Sequence, residues 1–143
     1  MNAPSKNLAA LWIRAAFHEA GTFDPADQSG NTGGTDGSLV YTVNMTENAG
    51  LENTIADRFV PLFDRGNISK ADTIAIGGLV SVKHCGGPDI PFRGGRVDVQ
   101  PNAVRFENVN RIPGMSEAYA SVKTKMLRMG FTPVDIATLG KFC

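Results

Sequence analysis

The chain has 143 residues, a length typical of a single domain able to bury a hydrophobic core. Its 14 basic and 14 acidic residues balance, so no surface for nucleic acid is expected. The sequence holds no apolar run long enough to cross a bilayer. No charged-then-apolar leader opens it, which leaves a mature secreted form, a truncated form and an intracellular protein all open.

The first predicted helix covers Asn7 to about Ala20, where apolar residues recur at helical spacing and Gly21 ends the pattern. A glycine-rich loop follows, from Gly21 to Ser38. Loops of this length are commonly functional or disordered. The apolar stripe consists of Leu8, Leu11, Trp12 and Ala15.

Two further helices are predicted in the middle of the chain. Residues from Gly50 to Phe63 carry apolar side chains at every fourth position, and Pro61 weakens the end of that helix. Ser69 opens the second with a capping-box pattern, and the segment from Cys85 to Pro88 stops it. Residues 88 to 114 show no clear period and are predicted to form an extended loop with short turns.

The last third of the chain is also predicted to be helical. Ser116 caps one helix and Gly130 ends it. Thr132 then caps a helix that runs to Gly140. Since no alternating strand pattern appears, the predicted fold class is all-α. The helix opened by Ser116 uses the apolar positions Tyr119, Val122, Met126 and Met129.

Three side chains of the first helix are chemically informative. Arg14, Phe17 and His18 stand at positions i, i+3 and i+4, so they share one helix face. A cation, an aromatic ring and an imidazole could line one cavity. Taken alone, the pattern fits a surface arginine and a histidine bonded to a backbone carbonyl better than it fits a shared cavity.

The residues around this trio resemble a known family. The motif Arg14-x-x-Phe17-His18-Glu19-Ala20-Gly21 is similar to the distal-helix signature of the plant, fungal and bacterial haem peroxidase superfamily. The resemblance covers Lys6 to Gly140 and is strongest to the fungal secreted class, while Ala20–Asp24 is also similar to the cytochrome c peroxidase class. Further matching segments, in family order, are Gly33–Ser38, Glu47–Leu51, Ser69–Asp72, Cys85–Pro88, Gly94–Asp98 and Gly130–Asp135.

The resemblance implies that residues 1–143 form the distal helical domain of the haem peroxidase fold, with the proximal domain missing. It implies haem b as cofactor, hydrogen peroxide as oxidant, a small organic reducing substrate and an extracellular location. His18 would move the proton during peroxide cleavage, and Arg14 would stabilise the departing oxygen. Asn48 would orient His18, or alternatively cap a helix before Gly50. Arg14, Phe17 and His18 would contact the haem.

The resemblance also implies a calcium site in the glycine-rich loop. Its oxygen ligands would come from Glu19, the Gly34 carbonyl, Asp36 and Ser38. The family usually has an aspartate where this chain has Glu19. The alternative is a glycine turn in which Asp36 forms an Asx turn.

In the family, a proximal histidine binds the haem iron as its axial ligand. The sequence lacks this histidine. His84 fits a helix-end histidine better than a ligand. A thiolate from Cys143 would lack fixed surroundings, and Ser5 falls roughly where the family has the partner of Cys85. We therefore expect the 143 residues to bind haem poorly.

Two other functions stay open at this level. The chain could be an inactive peroxidase remnant that acts as a helical calcium- or partner-binding protein, which haem binding would distinguish from an enzyme. It could also be an unrelated helical enzyme that uses His18 and Glu19 as an acid–base pair. Adjacent helix positions point about 100° apart, which argues against that pair.

Overall fold

A computed structural model of the chain describes residues 6–29, 32–63, 65–105 and 110–139. These residues form helices and connecting loops with no β-strand among them, so the all-α prediction is confirmed. No helix in this part of the chain is long and apolar enough to cross a membrane. The predicted helix end at Gly140 lies outside the described residues, as do Ser5 and Cys143.

Two long helices form the centre of the fold, α1 (Lys6–Ala20) and α5 (Lys70–His84). They approach closely because α5 carries Gly78 at the contact. A Cβ atom added there would lie only 2.7 Å from the Cβ of Ala16 in α1. A larger residue at position 78 would therefore push the two helices apart.

Between these helices the chain makes two short elements that the sequence patterns did not predict. Helix α2 covers Leu39–Thr42, and a 3-10 turn covers Thr46–Asn48. Trp12 of α1 packs against Phe59, with ring centroids 5.1 Å apart, as its place in the apolar stripe predicted. The buried core that these elements enclose consists of Ala15, Leu39, Leu51, Ile55, Phe59 and Ile74.

The helix predicted from Gly50 to Phe63 starts later and changes pitch. Helix α3 (Glu52–Thr54) passes into a π-helical turn (Ile55–Phe59) and then into α4 (Val60–Phe63). Pro61 lies inside α4 and does not end it. Proline has no N–H to donate to the preceding turn, and the wider turn directly before it is a common way to accommodate such a break.

The prediction that Ser116 begins the next helix is wrong. Helix α6 covers Tyr119–Arg128 and has no side-chain cap. Glu117 explains the later start, because its carboxylate accepts the N–H of Gly114 (3.0 Å) and also pairs with Lys125. These contacts hold the segment before α6 as a turn.

The other two predicted helix caps, Ser69 and Thr132, are confirmed. The Ser69 hydroxyl accepts the N–H of Asp72 at the start of α5 (3.0 Å). The Thr132 hydroxyl accepts the N–H of Asp135, whose carboxylate in turn accepts the N–H of Thr132, at the start of α7 (Pro133–Leu139). Ser69 acts as a single cap, whereas Thr132 and Asp135 cap each other's N–H groups. Both arrangements satisfy N–H groups that have no partner within the helix.

The described residues between α5 and α6 form an extended loop, as predicted, with a 3-10 turn at Pro101–Ala103. Asp98 attaches this loop to α5. Its carboxylate accepts the N–H groups of Lys70 and Ala71, both at 2.9 Å.

Candidate active site

His18 lies near the end of α1, where its side chain is buried and 8% exposed. Its Nδ1 atom is 2.8 Å from Oδ1 of Asn48. The amide nitrogen of Asn48 donates to the carbonyl of Thr42 (2.9 Å), which fixes the orientation of the amide. Oδ1 therefore accepts from His18 Nδ1–H, and Nε2 of the neutral ring is left without a proton.

Burial lowers the pKa of His18 below its ordinary value of 6.5. The hydrogen bond with Asn48 opposes this shift, and the positive charge of Arg14 lowers the pKa further. The ring is consequently neutral at pH 7, and Nε2 is free to accept a proton.

Arg14 and Phe17 lie on the same face of α1 as His18. The guanidinium of Arg14 donates to the carbonyl oxygens of Ala49 (2.9 Å) and Glu47 (3.5 Å), in the turn that carries Asn48. The ring of Phe17 meets the imidazole edge to face, with centroids 6.2 Å apart. The structure thus brings the predicted cation, ring and imidazole together.

His18 and Phe17 line two different cavities of the described residues. His18 and Asn48 line a cavity of about 20 Å³, enough for about one water molecule. Phe17 lines a separate cavity of about 450 Å³. Arg14 lines neither, because its guanidinium is held by the carbonyl oxygens of the 47–49 turn. Arg105 also lines the small cavity, and no local sequence pattern identified it.

Glu19 follows His18 in α1, and its carboxylate is only 1% exposed. Its Oε1 atom accepts the N–H groups of Asp36 (2.9 Å) and Gly37, and Oε2 accepts the N–H of Leu39 (2.8 Å). Burial raises the pKa of Glu19 to about 7, although these N–H groups act in the opposite direction. The glycine-rich loop is thus folded onto the end of α1.

The proposed calcium ligands do not fit the ion in this arrangement. Asp36 and Ser38 lie near Glu19 as predicted, but Asp36 reaches it through its backbone N–H. The Asp36 carboxylate accepts the N–H of Ser38 (3.0 Å), which is the alternative Asx turn, and the N–H of Gly34 donates to the Thr22 hydroxyl (2.9 Å). Calcium needs six to eight oxygen ligands. The described residues contain no group of three or more His, Cys, Asp or Glu placed to hold a metal.

His84 and Cys85 lie away from these contacts, at the end of α5. Both are exposed, and Cys85 has a free thiol. The structure therefore gives His84 the helix-end position that the sequence indicated.

Comparison with known proteins identifies the family. The family model described as peroxidase matches residues 1–141. The chain is 33% identical over 137 residues to the peroxisomal L-ascorbate peroxidase 5 of Arabidopsis thaliana, covering 94% of this chain and 46% of that protein. It is 35% identical over 133 residues to the mitochondrial cytochrome c peroxidase of Candida albicans, covering 90% of this chain and 35% of that protein.

The chain thus spans less than half the length of these relatives. Their names are those of ascorbate and cytochrome c peroxidases and not of secreted fungal enzymes, so the narrower resemblance to the secreted class gains no support from them. The chain belongs to the haem peroxidase superfamily.

Proposed function

We propose that residues 1–143 are the distal half of a haem peroxidase that reduces hydrogen peroxide with electrons from a small organic donor. The observation that carries the proposal is the contact between Asn48 Oδ1 and His18 Nδ1 (2.8 Å). It leaves His18 neutral with a bare Nε2, beside the fixed cation of Arg14. This pair has the two properties that heterolytic peroxide cleavage requires of a protein.

In this proposal, Nε2 of His18 accepts the proton of one peroxide oxygen and returns it to the other, which leaves as water. The guanidinium of Arg14 stabilises the negative charge that develops on the leaving oxygen. Asn48 holds the ring so that the proton-free nitrogen faces outward. Phe17 covers one side of the imidazole and excludes water.

We propose haem b as the cofactor, with Arg14, Phe17 and His18 against its distal face. The chemistry of this set fits, since it combines an apolar ring with a neutral base and a cation. When bound, the haem supplies the electrons that cleavage of the O–O bond requires.

The printed names of the relatives suggest which donor to test first. Ascorbate is named for the Arabidopsis protein and cytochrome c for the Candida protein. We propose a small organic donor, with ascorbate as the first candidate. An extracellular location is not part of the proposal, because those two relatives are named peroxisomal and mitochondrial. Calcium is also left out, since the loop residues do not fit it.

The test is peroxide-dependent oxidation of ascorbate and of guaiacol by the haem-reconstituted protein. The variant His18→Ala should lose about 10²- to 10⁴-fold in rate, the usual contribution of a positioned acid–base group. His84→Ala is the matched control, since it removes the other histidine at an exposed helix end.

Because the chain spans less than half the length of these relatives, the same variants are also made in a chimera with the remainder of the Arabidopsis relative. A His18→Ala chimera that keeps full turnover would refute the assigned role. Loss of activity in His84→Ala, with His18→Ala unaffected, would place the chemistry elsewhere.

A further inference from the structure

The neighbouring residues His18 and Glu19 are connected to opposite ends of the same short helix. Oε2 of Glu19 accepts the N–H of Leu39, the first residue of α2 (2.8 Å). The carbonyl of Thr42, the last residue of α2, accepts the amide N–H of Asn48 (2.9 Å). Asn48 then binds His18. These contacts close a ring that begins and ends in α1.

The surroundings of Glu19 present backbone donors to its carboxyl group. Its carboxylate receives the N–H groups of Asp36, Gly37 and Leu39 on its two oxygens and is almost fully buried. Successive backbone N–H groups that converge in this way form an anion-binding concavity. A cation would need oxygen atoms pointing inward. Here the groups that point inward are donors, and the anion they bind belongs to the protein itself.

Gly37 shows that the backbone is shaped for these contacts. Its φ angle is +79°, in the left-handed region that other residues rarely adopt. That conformation lets successive N–H groups around position 37 reach one carboxylate. The positive φ and the buried acceptor therefore belong to one local arrangement.

We propose that Glu19 is a positioning residue for His18, organising the 36–42 segment without a metal ion and orienting the imidazole through α2 and Asn48. The proposal rests on the proposed function only in that it gives His18 its role. It departs from the calcium site that the family resemblance implied. In this chain the carboxylate takes the organising position that the resemblance assigns to an ion.

Both the charge and the length of Glu19 matter in this arrangement. Glu19→Gln keeps the size but replaces one acceptor oxygen by an NH₂ group, which would face a backbone donor. Glu19→Asp keeps the charge but is one methylene shorter, so its carboxylate would be drawn back toward α1 and could not reach the N–H groups of both Asp36 and Leu39. Each change should release α2 and, through Asn48, the ring of His18.

The experiment measures the ring-nitrogen chemical shifts of His18 by NMR in the 143-residue chain labelled with ¹⁵N-histidine. The sequence has two histidines, so His84→Gln assigns the signals. In the unaltered chain we expect the tautomer protonated at Nδ1, identical with excess calcium and with a chelator. In Glu19→Gln and Glu19→Asp we expect a mixture of tautomers.

Asp72→Asn is the matched control. Asp72 is another buried carboxylate, 5% exposed, but it binds Gly95 and Arg96 and lies on α5. Its loss should lower the melting temperature and leave the His18 signals unchanged. That result would separate positioning of His18 from general loss of stability.

Two results would overturn the proposal. One is a saturable calcium response of the unaltered chain, with a higher melting temperature in calcium than in chelator. The other is a folded Glu19→Gln chain whose His18 signals match the unaltered chain. If Glu19→Gln does not fold, Glu19→Asp decides by the same criterion. The readout uses neither haem nor peroxide, so failure of the peroxidase assay and failure of this proposal are distinguishable.

Discussion

The Oδ1 atom of Asn48 lies 2.8 Å from Nδ1 of His18, thirty residues away in the sequence. Because the amide nitrogen of Asn48 is engaged by Thr42, this contact fixes both the tautomer and the orientation of the ring. Substitution of Asn48 should therefore affect catalysis and stability together.

In Asn48→Ala, we expect the rate of peroxide cleavage to fall, because the ring of His18 can rotate and present either nitrogen. The free energy of unfolding should fall by about 1–3 kcal/mol, since the buried groups of His18 and Thr42 lose their partner. Stopped-flow mixing with peroxide and urea unfolding measure the two effects. An unchanged rate in a destabilised protein would show that Asn48 is only structural.

Substitution of Arg14 and substitution of Asn48 should shift the pKa of His18 in opposite directions. Arg14→Gln removes a cation and should raise the pKa of His18, whereas Asn48→Ala removes the hydrogen bond that opposes the lowering and should lower it. Titration of the ring signals by NMR measures both shifts. Arg58→Gln, on an exposed part of the π-helical turn, is the control for net charge. Shifts of the same sign in both variants would contradict this account.

The depressed pKa of His18 also predicts a pH dependence of stability. The unfolded chain binds a proton at His18 near pH 6.5, but the folded chain binds it only at lower pH. The contribution of His18 to the free energy of unfolding should therefore decrease as the pH falls below 6.5. In urea unfolding between about pH 7.5 and 5.5, a range that spans the ordinary pKa of histidine, lowering the pH should reduce the stability of the unaltered chain relative to that of His18→Gln. An equal decrease would assign the effect to other groups.

The contact between α1 and α5 predicts that Gly78→Ala has opposite effects on stability in the unaltered chain and in an Ala16→Gly background. Gly78→Ala places a methyl group against Ala16 and should cost about 1–3 kcal/mol of stability by overpacking. In an Ala16→Gly background the space is free, and the same change should stabilise α5 by up to about 1 kcal/mol through helix propensity. Urea unfolding of the four proteins completes the cycle. Stabilisation by Gly78→Ala alone would mean that the helices separate easily.

Two variants at the start of α5 test how much the contact with the loop after α5 contributes to stability. Asp98→Ala removes acceptors for the N–H groups of Lys70 and Ala71, whereas Ser69→Ala removes the acceptor for one N–H group. Each cap should be worth about 0.5–2 kcal/mol, and Asp98→Ala should cost more because it also loses a charge near the helix N-terminus. Thermal unfolding shows which of the two variants loses more stability. A larger loss in Ser69→Ala would show that Asp98 contributes little.

Local patterns in the chain were sufficient to predict α1, α5 and α7. Their apolar spacing and caps involve residues within four positions of each other, and helices depend on such short-range contacts. The shared face of Arg14, Phe17 and His18 follows from the same geometry. The start of α6 was misplaced at Ser116 because Glu117 is held by Lys125, a contact that the capping pattern does not reveal.

The partners of the site came from the tertiary structure. No local rule predicts that a backbone carbonyl at Thr42 orients Asn48, or that Glu19 receives N–H groups from residues 17 to 20 positions later. The family resemblance of the loop implied a cation. The direction in which backbone N–H groups point depends on the φ angles of its glycines and on the packing of α2 against α1, and these decided that the loop surrounds a carboxylate.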